Sequence, residues 1–196
     1  MHPIVADQPP HLPGGRLSSG ARRCHTVTMS RMPERTLILL RHAKSDWSGG
    51  EADVDRPLNK RGLREAPIAG AWVAGNIGRV DAAVVSPANR TRSTWKLVSA
   101  ELDGPPPARF DDVAYGASPA ELLDILRGLP DDARTVIVVG HNPGIEGLAS
   151  LLTNGSVSMA TSALAVIGFD APWSSLDASP AVMRAFGRPP APLPVD

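Results

Sequence analysis

Between residues 36 and 186 the chain alternates between two hydrophobic patterns. Short continuous apolar runs occur at 36–41 (TLILLR), 80–85 and 135–139 (TVIVV), and each reads as a strand buried on both faces. Between the runs the apolar residues follow helical spacing. Asn59 can cap a helix reaching about residue 75, with Leu63, Ile68, Trp72 and Val73 as its apolar positions and Pro67 bending it. A second helix is expected over 87–102, with Thr91, Trp95, Val98 and Leu102 on one face. Ser118-Pro119-Ala120-Glu121 is a capping box that opens a third, whose Leu122, Ile125, Leu126 and Leu129 share a stripe. A fourth starts at Pro143 and turns Ile145, Leu148, Ala149 and Leu152 inward. Final strands are expected over 163–169 and 181–186. Strands alternating with helices predict a three-layer α/β/α sandwich around a mostly parallel, mixed sheet.

The two ends break this pattern. Residues 1–34 carry Pro3, Pro9, Pro10, Pro13, Gly14, Gly15 and Gly20 without an apolar run. They read as a disordered extension, or as sequence upstream of a start at Met29 or Met32. Residues 189–196 hold four prolines and read as a disordered tail, which leaves 35–188 as the single folded domain. No stretch has the continuous apolar core of a secretion signal or the roughly 20 residues of a membrane span, so a cytoplasmic location is expected. The 20 Lys and Arg balance the 20 Asp and Glu, so no global charge draws nucleic acid or an anionic membrane. One cysteine, Cys24, excludes a disulfide framework and a Cys-rich metal site. G-x-G-x-x-G and P-loop motifs are absent, which removes the main support for dinucleotide and nucleotide binding.

The chemistry lies in the placement of the histidines. His2, His11 and His25 fall in the N-terminal extension, whereas His42 and His141 each follow directly on a buried strand, in LILLRH and VIVVGH. In an open α/β sheet ligands bind beyond the carboxyl ends of the strands, so two parallel strands would deliver both imidazoles to one edge. Arg41 precedes His42 with a guanidinium whose planar fork matches phosphate oxygens. Ser86-Pro87 ends the second strand as a helix cap and first turn, and puts Arg90 one turn into a helix. Asn142-Pro143-Gly144 opens another helix beside His141. Helix N-termini bind anions. Arg41, Arg90, His141 and Asn142 therefore form a candidate phosphoryl pocket around His42, while Arg64 and Arg92 read as solvated charges. Two histidines without a third partner make a poor metal site, so neither metal nor cofactor is expected.

Arg41-His42-Ala43, Ser86-Pro87-x-x-Arg90 and Gly140-His141-Asn142-Pro143 resemble the three signatures of the histidine phosphatase superfamily. The closer resemblance is to the small SixA-type phosphohistidine phosphatases. It extends to the segment from Arg56 to Gly62 and to Thr161-Ser162-Ala163, covering roughly residues 36–188. Ala43 stands where much of the superfamily has glycine, as it also does in SixA-like members. The resemblance implies a phosphoglycerate-mutase-like fold and a phosphatase in which His42 attacks phosphorus to form a covalent phosphohistidine. Attack needs a neutral imidazole, so its other nitrogen should donate to a backbone carbonyl. Arg41, Arg90 and His141 would hold the non-bridging oxygens. By position in the family pattern the general acid would come from the segment where Asp111 and Asp112 precede Val113, with Asp112 preferred, and the rivals Asp46 and Asp53 in the loop after His42 read more simply as solvated carboxylates.

Phosphoglycerate mutases carry a longer insertion between the second strand and the strand at 135, and this chain has no such lid. An open pocket suits a monomeric enzyme acting on a histidine-phosphorylated protein. The alternatives are a phosphatase of small phosphomonoesters and a non-catalytic binder of phosphoproteins.

Overall fold

A computed structural model describes residues 35–177 and 181–192. The element order is β1 (Arg35–Arg41), α1 (Lys60–Asn76), β2 (Ala82–Val85), α2 (Asn89–Ser99), β3 (Ala108–Phe110), α3 (Pro119–Arg127), β4 (Thr135–Gly140), α4 (Gly144–Thr153), β5 (Leu164–Phe169), β6 (Val182–Gly187) and β7 (Pro190–Pro192). The strands form one sheet in the order β3-β2-β4-β1-β5-β6-β7. The first four strands are parallel, whereas β5, β6 and β7 run antiparallel to their neighbours. This is the expected α/β/α sandwich with a mixed sheet. Residues 1–34, the expected extension, lie outside the described residues, as do 178–180 and 193–196.

Alternation along β1 explains why its run is apolar throughout. Leu37 and Leu39 point into a core built with Leu122 and Leu126 of α3 and Ile145 and Leu148 of α4. Ile38 and Leu40 point the other way, against Val73 of α1 and Trp95 and Val98 of α2. Every residue from Leu37 to Leu40 is 0 % exposed, so a strand with a polar face would not serve here. Asn59 caps α1 by accepting from the N–H groups of Arg61 and Gly62, and Ser118 and Glu121 close the capping box of α3. Among the described residues no helix is long and apolar enough to cross a membrane.

Three expectations need correcting. The inner face of α1 is made of Gly62, Ala66, Ala69, Gly70 and Val73, while Leu63 and Ile68 are half exposed. Small residues win because the neighbouring backbone comes too close for larger ones. A Cβ on Gly62 would sit 2.3 Å from the Lys44 carbonyl oxygen, and one on Gly70 would sit 2.6 Å from that of Val98. Second, α2 starts at Asn89 with Ala88 as its N-cap, so Ser86 does not cap it. The hydroxyl of Ser86 is committed to His141 instead. Third, the domain does not stop at residue 188, because β7 pairs with β6 through Phe186↔Ala191 and Gly187↔Pro190. A proline-bearing strand is tolerated there because β7 is the sheet edge, where a missing N–H costs no ladder bond.

Candidate active site

Parallel pairing of β1 with β4 sets Arg41 opposite Gly140, so the next residue on each strand is a histidine. The His42 N–H continues the ladder to the Gly140 carbonyl at 3.1 Å, and the two imidazole centroids are 5.1 Å apart. Strand β2 flanks β4 on its other side and ends at Val85, which brings Ser86 alongside. The sheet thus gathers residues far apart in sequence at one carboxyl edge.

Both imidazoles are buried, His42 at 8 % and His141 at 9 % exposure. His42 Nδ1 lies 2.8 Å from the Ala43 carbonyl oxygen. A carbonyl can only accept, so Nδ1 carries the proton and Nε2 keeps a free lone pair. This is the backbone bond expected from the sequence. In His141, Nδ1 accepts from Arg90 Nε at 3.3 Å, which places the proton on Nε2, 2.8 Å from Ser86 Oγ. Burial pushes the His42 pKa down to about 4, with the charges of Arg90, Arg41 and Arg56 acting in the same direction. Burial, then His42 and Arg90, push His141 down to about 3. Both rings are therefore neutral at pH 7.

Arg90 is 5 % exposed, and each of its three side-chain nitrogens makes one hydrogen bond. Besides His141 it donates from Nη1 to the Asp53 carbonyl and from Nη2 to Asp53 Oδ2 at 3.0 Å. Arg41 donates from Nη1 to the Met159 carbonyl at 2.7 Å, and its buried Nε has no partner. Asn142 spends its side-chain N–H groups on Glu146 Oε2 and on the Met159 carbonyl, and its buried Oδ1 has no partner. Asp112 opens a short 3-10 turn (Asp112–Ala114) and is exposed.

Reading the sequence undervalued Asp53. The loop that holds it is pinched shut by the Ser45↔Leu58 bridge and by Asp46 N–H donating to the Pro57 carbonyl at 2.8 Å. This folds Asp53 back over the pocket, where it meets Arg90, Arg56 Nε at 3.0 Å and the Tyr115 hydroxyl at 2.6 Å. The Tyr115 bond, with the charges of Arg90 and Arg56, lowers its pKa to about 2. Arg56 is buried, donates to Ser45 Oγ and lies 3.4 Å from the Trp47 ring centroid. Tyr115 meets His141 edge-on at 5.6 Å. Arg56 carried a signal, since it opens the segment that resembles the family, whereas Tyr115 had none. Among the described residues no group of three or more His, Cys, Asp and Glu side chains is placed to hold a metal ion.

The depressed histidines make a prediction. An unfolded chain takes up imidazole protons around pH 6.5, whereas the folded His42 resists until about pH 4. Stability is therefore complete above pH 6.5 and is lost as the pH falls toward 4, by on the order of 3 kcal/mol for His42. Thermal melts from pH 7 to 4 should show this loss, and His42→Ala should make it shallower while the share of His141 remains. In an NMR titration the His42 ring should have its midpoint near 4. A midpoint near 6.5 would contradict the buried, neutral ring.

Residues 37–118 match the histidine phosphatase superfamily (branch 1). An uncharacterized protein of Mycobacterium tuberculosis is 36 % identical over 161 residues, covering 76 % of this chain and 99 % of the relative. Among solved structures, a protein of Nakamurella multipartitia assigned as a SixA phosphohistidine phosphatase superposes with a TM-score of 0.69 at 32 % identity. It matches over 79 % of this chain and 96 % of its own. One from Agrobacterium tumefaciens with the same assignment gives 0.69 at 28 % identity over 79 % and 98 %. With two buried histidines and two arginines gathered at the carboxyl edge of such a sheet, the chain belongs to the histidine phosphatase superfamily, as a phosphatase of the SixA type.

Proposed function

We propose that this phosphatase removes the phosphoryl group from phosphohistidine on a protein, by way of a covalent phosphohistidine on His42. The observation that carries the reading is the neutral His42 ring, with Nδ1 tied to the Ala43 carbonyl and Nε2 free. The Nε2 lone pair attacks phosphorus in line while the bond to the substrate's imidazole nitrogen breaks, and that nitrogen leaves with a proton. Water then cleaves the new P–N bond, releasing orthophosphate and restoring His42. Arg41, Arg90 and His141 stabilise the charge on the three non-bridging oxygens. The unpartnered Nε of Arg41 would gain an acceptor, and a phosphoryl oxygen would share the His141 proton that Ser86 now accepts.

Asp112 is the proton donor in this reading, because its rivals are occupied. Asp111 accepts from Val113 N–H and Arg109, and Asp46 from the Ser48 N–H and hydroxyl. Asp53 is committed to Arg56, Arg90 and the Tyr115 hydroxyl. An imidazole leaving group needs less help than an alkoxide, so Asp112→Asn should slow phosphohistidine less than a phosphomonoester.

The deciding experiment compares a phosphohistidine-bearing protein with a panel of small phosphomonoesters, scored by kcat/KM. Preference for the protein supports the reading, and preference for one phosphomonoester replaces it. Activity should also persist in excess chelator, since the cations in this mechanism are side chains. Loss on chelation with recovery on adding a divalent ion would overturn that part.

A further inference from the structure

A groove of about 670 Å³ runs along α2. Asn89 and Asp55 line the groove, and Asn89 Nδ2 donates to the Asp55 carbonyl at 3.0 Å. Their near neighbours in sequence, Arg90 and Asp53, are bonded to each other beside His141, which places the groove next to the phosphoryl pocket. The outer wall is cationic. Arg92 and Lys96 are exposed, stand one helical turn apart, and have no ion-pair partner among the described residues. Like charges at this spacing repel, and neither neutralises the other. Arg92 also lies 5.1 Å from the ring centroid of Phe110, which is half exposed and lines the same groove. Asp55 supplies one negative charge, which leaves the lining with a net positive charge.

The loops at 47–54 and 110–115 carry exposed apolar side chains. Trp47, Val54, Phe110, Val113 and Tyr115 are among the exposed large hydrophobics, and all lie on two segments that meet at the Tyr115–Asp53 hydrogen bond. Apolar side chains clustered at a rim mark a surface for another macromolecule. We propose that the α2 groove docks an acidic segment of the phosphorylated protein, with carboxylates on Arg92 and Lys96 and an apolar side chain on Phe110. This rests on the phosphohistidine reading and adds how the protein around the phosphoryl group is chosen.

The test uses free phosphohistidine and two peptides phosphorylated on a single histidine with phosphoramidate. One peptide carries glutamates in the flanking residues and the other lysines. The wild type should favour the glutamate peptide by about tenfold in kcat/KM, mostly through KM, and the preference should shrink between 50 and 500 mM salt as the charges are screened. The double variant Arg92→Glu, Lys96→Glu should lose or invert the preference while its rate on free phosphohistidine stays unchanged, which also reports that it is folded. Lys96→Glu alone, at an exposed position, should halve the effect if the double variant is unstable. Equal peptide ratios in wild type and variants overturn the docking site and leave the phosphohistidine reading intact. Turnover of free phosphohistidine but of neither peptide overturns the docking site and the protein-bound part of that reading together. Activity confined to small phosphomonoesters overturns both.

Discussion

His42→Ala should lose phosphatase activity by on the order of 10⁴-fold or more, the scale seen when a covalent enzyme loses its nucleophile. The fold should survive. His42 stands beyond the last residue of β1, and the buried run from Leu37 to Leu40 that holds the sheet together is untouched. The local cost is one hydrogen bond, because the Ala43 carbonyl loses its Nδ1–H donor; this is worth about 1 kcal/mol. Wild-type protein quenched during turnover should carry acid-labile, base-stable phosphate on His42, and the variant should carry none. Label on a serine, or an active enzyme that never becomes labelled, would remove the covalent mechanism.

Arg90→Lys should lower kcat/KM by at least about tenfold, roughly 1.4 kcal/mol of transition-state stabilisation. Arg90→Ala should cost about 10²- to 10³-fold, as for loss of a preorganised donor to a developing anion. The reason is geometric. The guanidinium reaches His141 Nδ1 with one nitrogen and Asp53 with the other two, and a lysine ammonium cannot span both. Losing Arg90 also removes one partner of Asp53, so its pKa should rise only in part, because the Tyr115 and Arg56 contacts remain. Arg92→Lys keeps its charge at an exposed position and should be nearly silent on a small phosphate ester. Equal effects at Arg90 and Arg92 on that substrate would mean the pocket lies elsewhere.

Much of this protein was legible in the residues. Runs such as TLILLR and TVIVV could satisfy no environment but the middle of a sheet covered on both faces, and β1 and β4 are its central pair. The capping groups of α1 and α3 act within a few residues, so Asn59 and the Ser118–Glu121 box operate as local chemistry dictates. The site followed from the same logic: a histidine ending each of two parallel strands must share their carboxyl edge.

What local pattern could not decide depended on which backbone comes near. Leu63, Ile68, Trp72 and Val73 stood out as the apolar positions of α1, but only the packed structure shows that Leu63 and Ile68 are half exposed and that the Lys44 and Val98 carbonyls demand glycine at 62 and 70. Ser86 has the residue type and position of a helix cap, and its hydroxyl goes to His141 only because β2 lies beside β4. Asp53 looked like a solvated carboxylate until closure of its loop brought Arg56, Arg90 and Tyr115 around it from three separate parts of the chain. By itself the sequence determined the strands, the caps and the pair of strand-end histidines, because short-range sterics, capping and burial of apolar runs act within an element or on every covered strand alike. Only the tertiary structure decided the partners of Asp53, Ser86 and Tyr115, because a hydrogen bond between residues distant in sequence exists only once the sheet and loops have brought its two ends together.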